Sequence, residues 1–250
     1  MEKLTTMYHG DPGEPLALEA ILFDTFGTLV DWRTSLIDDL SAFGAQRGLT
    51  VDWPAFVDAW RGAYRPSMER VRRGDVPWMP LDALHRASFD ELAAAHRIDG
   101  RLDAADRAWC VDRWHRLRPW DDVVAGLTRL RARFIVGTLS NGNVRLLVDL
   151  ARTASLPLDL IFSAETFRRY KPDPQTYRGA IELLATEPQH VMLVAAHNDD
   201  LRAARAQGMR TAFVTRPHEY GPHQTHDLRA DDEVDFAVES LTELADRLRA

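Results

Sequence analysis

Ala20-Ile21-Leu22-Phe23-Asp24-Thr25-Phe26-Gly27-Thr28-Leu29 is the stretch from which the fold is read. Its first four residues are apolar without alternation, the pattern of a strand buried on both faces of a parallel sheet. Such a strand ends at Asp24, placing a carboxylate where open α/β sheets bind ligands. Gly27 lets the chain turn away and leaves backbone N–H groups directed at the site. An anion held there would lie beside a nucleophilic carboxylate. An aspartate after an apolar run is equally a helix N-cap or a turn residue, so the rest of the chain has to decide.

Outward from this stretch the pattern divides in two. Over residues 34–117 apolar residues recur at helical spacing: Leu36-Ile37-Leu40-Phe43, Phe56-Trp60-Tyr64, Leu81-Leu84-Phe89-Leu92 and Trp109-Trp114-Leu117. Breaks fall at Gly48, over 74–80 and around Gly100. From Pro119 onward helices alternate with strands expected at 134–139, 158–162, 191–194, 211–214 and 234–238. That alternation implies right-handed crossovers and a parallel sheet covered on both faces. The expected organisation is a loose N-terminal arm over 1–17, an α/β core of 18–33 and 118–250, and an all-helical insertion over 34–117.

Composition sets limits. A chain of 250 residues can bury a sizeable core. The net charge of −7, with Lys and Arg dispersed, gives no basic stripe and implies no nucleic-acid partner. The single cysteine, Cys110, excludes an internal disulfide and fits a reducing compartment. No apolar run approaches the roughly 20 residues of a membrane span, and the N-terminus lacks the basic start and apolar centre of a signal peptide. A cytoplasmic protein without a membrane partner is expected.

Three more clusters stand at expected strand ends. Ser140-Asn141-Gly142-Asn143 offers a hydroxyl and an amide, although Ser-Asn-Gly is also an ordinary capped turn. Lys171-Pro172-Asp173-Pro174 supplies a lysine able to keep a buried carboxylate ionised, and Pro174 suits the first turn of a helix. Ala195-Ala196-His197-Asn198-Asp199-Asp200 reads as a capped helix start with acids at its positive end, or as part of a site. His218, His223 and His226 share a loop; their spacing suits no tetrahedral zinc site and reads as solvated.

The four clusters, in this order and with a helical insertion after the first strand, resemble the haloacid dehalogenase (HAD) superfamily over roughly residues 18–250. The resemblance implies a Rossmann-like parallel-sheet core with an inserted all-helical cap domain. Its phosphatases carry Asp-x-Asp-Gly-Thr in the first motif, where the second Asp protonates the leaving oxygen. Its dehalogenases carry an aromatic residue there, as Phe26 does here, because a leaving halide needs no proton. The phosphatases also hold Mg²⁺ with two acids of the last motif, and this chain has Ala196 for the first of them. No metal and no cofactor is therefore expected. Within the superfamily, Thr28-Leu29-Val30-Asp31-Trp32, Ala59-Trp60-Arg61 and Tyr177, six residues after Lys171, resemble the type II (L-2-)haloacid dehalogenases.

By that resemblance Asp24 is the nucleophile that displaces halide from C2 of a 2-haloacid, inverting that carbon and leaving an ester for water to cleave. Lys171 keeps Asp24 anionic, Asp200 positions or activates the water, and Thr28 and Tyr177 hold the carboxylates. Ser140, with backbone N–H groups of Thr25 and Phe26, holds the substrate carboxylate. Arg61 and Asn141 face the halide, and Trp60 and Trp32 line the pocket, although most arginines of so arginine-rich a stretch are solvated. Better-known members have a serine pair and an asparagine where this chain has Ala195-Ala196-His197. His197 stands as a base, a halide donor or a pocket filler, and a tighter pocket with more donors would favour fluoride, making fluoroacetate a candidate substrate. Two other readings stay open: a Mg²⁺-dependent HAD phosphatase, and a non-catalytic HAD-fold binding protein. The tryptophan-rich cap is compatible with a homodimer.

Overall fold

The computed structural model describes residues 17–250. All but the last residue of the expected N-terminal arm lies outside them. Six strands form one sheet: β1 (Ala20–Phe23), β4 (Ile135–Ser140), β5 (Leu160–Ser163), β6 (Val191–Ala195), β7 (Arg210–Val214) and β8 (Phe236–Val238). Their order is β5-β4-β1-β6-β7-β8 and every pairing is parallel. All four residues of β1 are fully buried, as an apolar run without alternation requires. Phe23 pairs with Thr138 of β4 on one side and Val194 of β6 on the other. The chain runs from β1 out to β5 and returns to β6, so the order reverses beside β1. The C-terminal end of β1 is thus the topological switch point at which open sheets bind ligands.

A two-residue antiparallel ribbon, β2 (Val30–Asp31) with β3 (Arg118–Pro119), brackets the helical insertion. Between them run α1 (Trp32–Arg47), α2 (Trp53–Gly62), α3 (Tyr64–Arg72), α4 (Leu81–Ala95) and α5 (Ala104–Asp112). The Asp31 side chain accepts from Thr34 N–H at 2.9 Å, so α1 begins at Trp32, earlier than its apolar spacing suggests. Asp52 caps α2 in the same way, and Asp103 with Asp106 closes a capping box on α5. Phe56, Trp60 and Tyr64 do not share one helix: the path breaks at Ala63, after Gly62. The remaining helices, α6 (Val123–Arg131), α7 (Val144–Thr153), α8 (Ala164–Phe167), α9 (Pro174–Leu184), α10 (Asn198–Arg205) and α11 (Leu241–Arg247), connect and cover the sheet.

Two strands are shorter than expected. Leu158 N–H turns back to Leu156 O at 3.0 Å, delaying β5 to Leu160, and Val234 N–H turns to Asp231 O, delaying β8 to Phe236. Among the described residues no helix is long and apolar enough to cross a membrane.

The helical insertion is tied to the sheet side by polar contacts as well as packing. Tyr170 donates to Met79 O at 2.7 Å, and Asn143 Nδ2 donates to Asp82 at 2.9 Å. His115 stands between Asp82 of α4 and Asp149 of α7, at 3.2 and 3.0 Å. Burial opposes its charge, but the two carboxylates outweigh that and raise its pKa. A raised folded pKa stabilises fully below the unfolded value of about 6.5, and the gain is lost as pH rises through the folded value. The melting temperature of native protein should therefore exceed that of His115→Gln most at acidic pH, with the gap narrowing as pH rises. A gap that widens with pH would contradict this placement of charge.

Candidate active site

Asp24 emerges from β1 at the foot of a cavity of about 1120 Å³ between the helical insertion and the C-terminal ends of the strands. Its two oxygens have different neighbours. Oδ1 accepts from Lys171 Nζ at 3.0 Å, and Oδ2 accepts from Thr28 Oγ1 at 2.8 Å. Ala196 N–H donates to that same Thr28 hydroxyl at 2.9 Å, so the hydroxyl proton is left for Asp24. The loop that carries these residues is fixed from behind by Arg216, which donates to Thr28 O and pairs with both oxygens of Asp122.

Lys171 is buried, and its ammonium also donates to Asp200 Oδ2 at 2.5 Å. Tyr177 OH donates to the other oxygen of Asp200 at 2.6 Å. Pro174 opens α9, which supplies Tyr177, and the loop before it supplies Lys171. Asn141 Oδ1 accepts from Lys171 N–H at 2.7 Å, joining the end of β4 to the lysine. Burial alone would raise Asp24, but the Lys171 charge and the donors Lys171 and His197 hold it well below the usual carboxylate range. Lys171 is correspondingly raised, its desolvation outweighed by Asp200 and Asp24.

Opposite Lys171, His197 Nδ1 stands 3.2 Å from Asp24 Oδ2. Its Nε2 stands 2.9 and 3.1 Å from the oxygens of Glu219, which also accepts from Trp32 Nε1 at 3.0 Å. Arg61 reaches within 3.8 Å of Glu219, and its guanidinium lies 4.3 Å from the Tyr64 ring centre and 5.2 Å from that of Trp32. Its Nη1 is buried without a partner. Three carboxylates and the cations Lys171 and Arg61 thus surround His197 and the cavity.

Glu219 was not among the residues expected at the site. It lies in the loop read as solvated histidines, but it is buried against the first motif. A Cβ on Gly27 would stand 2.1 Å from its carboxylate, and Gly27 has φ +85°, so that glycine serves both the turn and the close approach. An acid preceded by exposed Pro217 and His218 and followed by half-buried Tyr220 carries no periodic signal of burial; the bare glycine of the first motif is the one available hint.

The other expected site residues divide. Phe26, Arg61, Asn141, Lys171, Tyr177, His197 and Asp200 line the cavity with Asp24. Thr28 stands behind Asp24, and Thr25 is buried with its hydroxyl unpartnered. Ser140 is fully buried, and its oxygen accepts from Gly142 N–H at 3.3 Å. The N–H groups of Thr25 and Phe26 have no backbone acceptor among the described residues. Trp60 corrects the expectation: it does not line the cavity. Its indole N–H donates to His85 O and Ser88 Oγ at 3.0 and 3.1 Å, and its ring packs on Phe56, Phe89 and Trp114. It is core of the helical insertion, and Trp32 does line the cavity. Among the described residues no group of three or more His, Cys, Asp or Glu is placed to hold a metal ion.

A lysine-bridged carboxylate at the switch point of a parallel sheet, roofed by an inserted helical cap, is the architecture of one class of hydrolases. Residues 18–208 match the family model of the haloacid dehalogenase-like hydrolases. (S)-2-haloacid dehalogenase 1 of Pseudomonas sp. strain CBS-3 is 30% identical over 245 residues, covering 90% of this chain and 99% of the relative. The crystal structure of a defluorinating L-2-haloacid dehalogenase superimposes with a TM-score of 0.91 at 45% identity, covering 93% of this chain and 96% of the other. That of another L-2-haloacid dehalogenase gives a TM-score of 0.90 at 49% identity, covering 93% and 99%. The chain belongs to the haloacid dehalogenase-like hydrolases, in their L-2-haloacid dehalogenase branch.

Removing Lys171 leaves Asp24 and Asp200 as two buried like charges. In Lys171→Met their mutual repulsion and desolvation raise Asp24, so the acid limb of the rate profile moves up toward neutral pH. Activity on the alkaline side should fall by at least about 100-fold. A pH profile of kcat/KM checks both, and an unmoved acid limb would mean that Lys171 does not set the charge of Asp24.

Proposed function

We propose that this protein hydrolyses short-chain 2-haloacids, among them chloroacetate, L-2-chloropropionate and fluoroacetate, to 2-hydroxy acids through an ester on Asp24. The observation that carries the reading is Asp24 held anionic by Lys171, Thr28 and His197 at the foot of a cavity in which Phe26 occupies the place of a phosphatase's acid. A core of residues 18–33 and 118–250 carries the chemistry, and a cap of 34–117 closes over it.

An Asp24 oxygen attacks C2 from the side opposite the halogen, the C–O bond forms as the carbon–halogen bond breaks, and the halide departs as an anion. Arg61, with an unpartnered Nη1 among aromatic rings, faces the departing charge, and Asn141 adds an amide. The substrate carboxylate is held by the N–H groups of Thr25 and Phe26 and by the Ser140 hydroxyl. Water then attacks Cγ of Asp24. Asp200, oriented by Lys171 and Tyr177, takes the water's proton and returns it to the departing oxygen. The product keeps an oxygen from Asp24, Asp24 regains one from water, and the second water proton leaves the Asp24 carboxyl for solvent, restoring the anion.

Fluoride is included because the leaving-group side holds a cationic donor within a wall of aromatic side chains, and a small, strongly hydrogen-bonding anion gains most from that. The likeness to a defluorinating L-2-haloacid dehalogenase supports cleavage of a carbon–fluorine bond. Buried, unpaired Cys110 suits a cytoplasmic setting.

Halide release from chloroacetate, fluoroacetate and each enantiomer of 2-chloropropionate, with EDTA present, tests the reading. Release should persist in EDTA, favour the L enantiomer and fall to background in Asp24→Asn. No release from any of them, with phosphate released from small esters in Mg²⁺, would replace this reading with the phosphatase one.

A further inference from the structure

His197 places both ring nitrogens against carboxylates, Asp24 at 3.2 Å and Glu219 at 2.9 Å. A neutral imidazole has one N–H and one lone pair, so it can donate to only one of them. A proton on either carboxylate would resolve the conflict, but both are otherwise occupied by donors. Asp24 accepts from Lys171 and Thr28, and Glu219 accepts from Trp32 and faces Arg61. The remaining place for the proton is the imidazole. We propose that Glu219 is a positioning residue that keeps His197 an imidazolium, and that His197 serves ester hydrolysis as a charged donor to the Asp24 carboxyl oxygen, leaving the role of base to Asp200.

The inference rests on the dehalogenase reading and adds a division of labour between its two steps. In the resting site Asp24 and Glu219 share the task of holding the His197 proton. Once Asp24 is esterified it is neutral, and Glu219 is the one anion left in contact with His197. Attack of water on Cγ then puts negative charge on the Asp24 carboxyl oxygen, and the Nδ1–H of His197 and the hydroxyl of Thr28 are already directed at that group. The balance closes without a proton from His197. One water proton goes to Asp200 and on to the product oxygen as collapse of the hydrogen-bonded oxyanion breaks its bond to Cγ; the other leaves the regenerated Asp24 carboxyl for solvent.

The surroundings support this order. The titratable groups touching His197 are Asp24 and Glu219, and the nearest cations, Lys171 and Arg61, are each directed at one of those carboxylates. Burial opposes charge on His197, but Glu219 and Asp24 outweigh it, so its pKa is raised well above the ordinary histidine value. Glu219 is itself lowered, its own burial outweighed by His197, Arg61 and Trp32. Gly27 leaves the space in which the Glu219 carboxylate sits.

Two measurements test the proposal, and the first does not depend on turnover. Nitrogen-15 NMR of the native protein without substrate should show both His197 nitrogens protonated through neutral pH, and in Glu219→Gln a His197 that loses a proton at lower pH. A single protonated nitrogen in the native protein at neutral pH would overturn the assignment. In single-turnover quench of Glu219→Gln with chloroacetate, halide release should stay within a few-fold of native. Hydroxy-acid release should slow by up to about 100-fold, the cost of losing an oxyanion donor outright, with the ester accumulating on the peptide that contains Asp24. The variant's hydrolysis rate should fall as pH rises, because neutral His197 is the weaker donor. A rate that instead rises with pH as His197 loses its proton would make it the base and overturn the proposal. Absence of halide release from native enzyme would count against the dehalogenase reading alone, and the NMR result would still decide the charge of His197.

Discussion

The Lys171 ammonium, buried between Asp24 and Asp200, is the constraint on which the site depends. Two carboxylates at the end of a parallel sheet repel each other, and burial penalises each charge separately. One cation between them removes both penalties and fixes their separation. Breaking such a pair by deleting one member costs about 3–5 kcal/mol in buried settings, because the other charge is left uncompensated. The lysine in turn requires its loop to be exact in position. Asn141 holds the Lys171 backbone, Pro174 starts the following helix, and Tyr177 secures the far oxygen of Asp200.

This arrangement is possible because of the strand order. β1 lies between β4 and β6, so residues leaving all three strands converge: Asp24, the Ser140–Asn141 turn, and Ala196 with His197. The insertion of α1–α5 after β2 then roofs the convergence with aromatic side chains and brings Arg61 over it. Trp32, at the start of α1, joins the two parts by donating to Glu219 from the first turn of the roof. The aromatic packing of Trp60, Phe56, Phe89 and Trp114 gives that roof a core of its own.

Much of this was legible in the sequence, for physical reasons that differ by element. β1 was readable because a strand buried on both faces must be apolar throughout, and Asp24 because a carboxylate directly after such a run is conspicuous. Lys171 and Asp200 stood out as charges near an expected strand end and helix start, each with a plain turn or cap reading beside it, and Tyr177 was readable only through the resemblance to the dehalogenases. Trp60 was misplaced because helical periodicity marks a buried face without saying whether core or cavity lies behind it. Glu219 was missed because its partners are remote: Trp32 is 187 positions away, and nothing local distinguishes a buried acid in a polar loop. The histidines around it drew attention for their metal chemistry, while the acid between them completes the site.

The proposed chemistry turns on one event, esterification of Asp24 and its regeneration by water at its own carboxyl carbon. A single turnover with enzyme in excess over chloroacetate, run in ¹⁸O-water, tests it most directly. Glycolate should carry unlabelled oxygen at C2, with one ¹⁸O in the peptide that contains Asp24. Labelled glycolate from that first turnover, with Asp24 unlabelled, would show that water attacks the substrate directly and that no ester forms on Asp24.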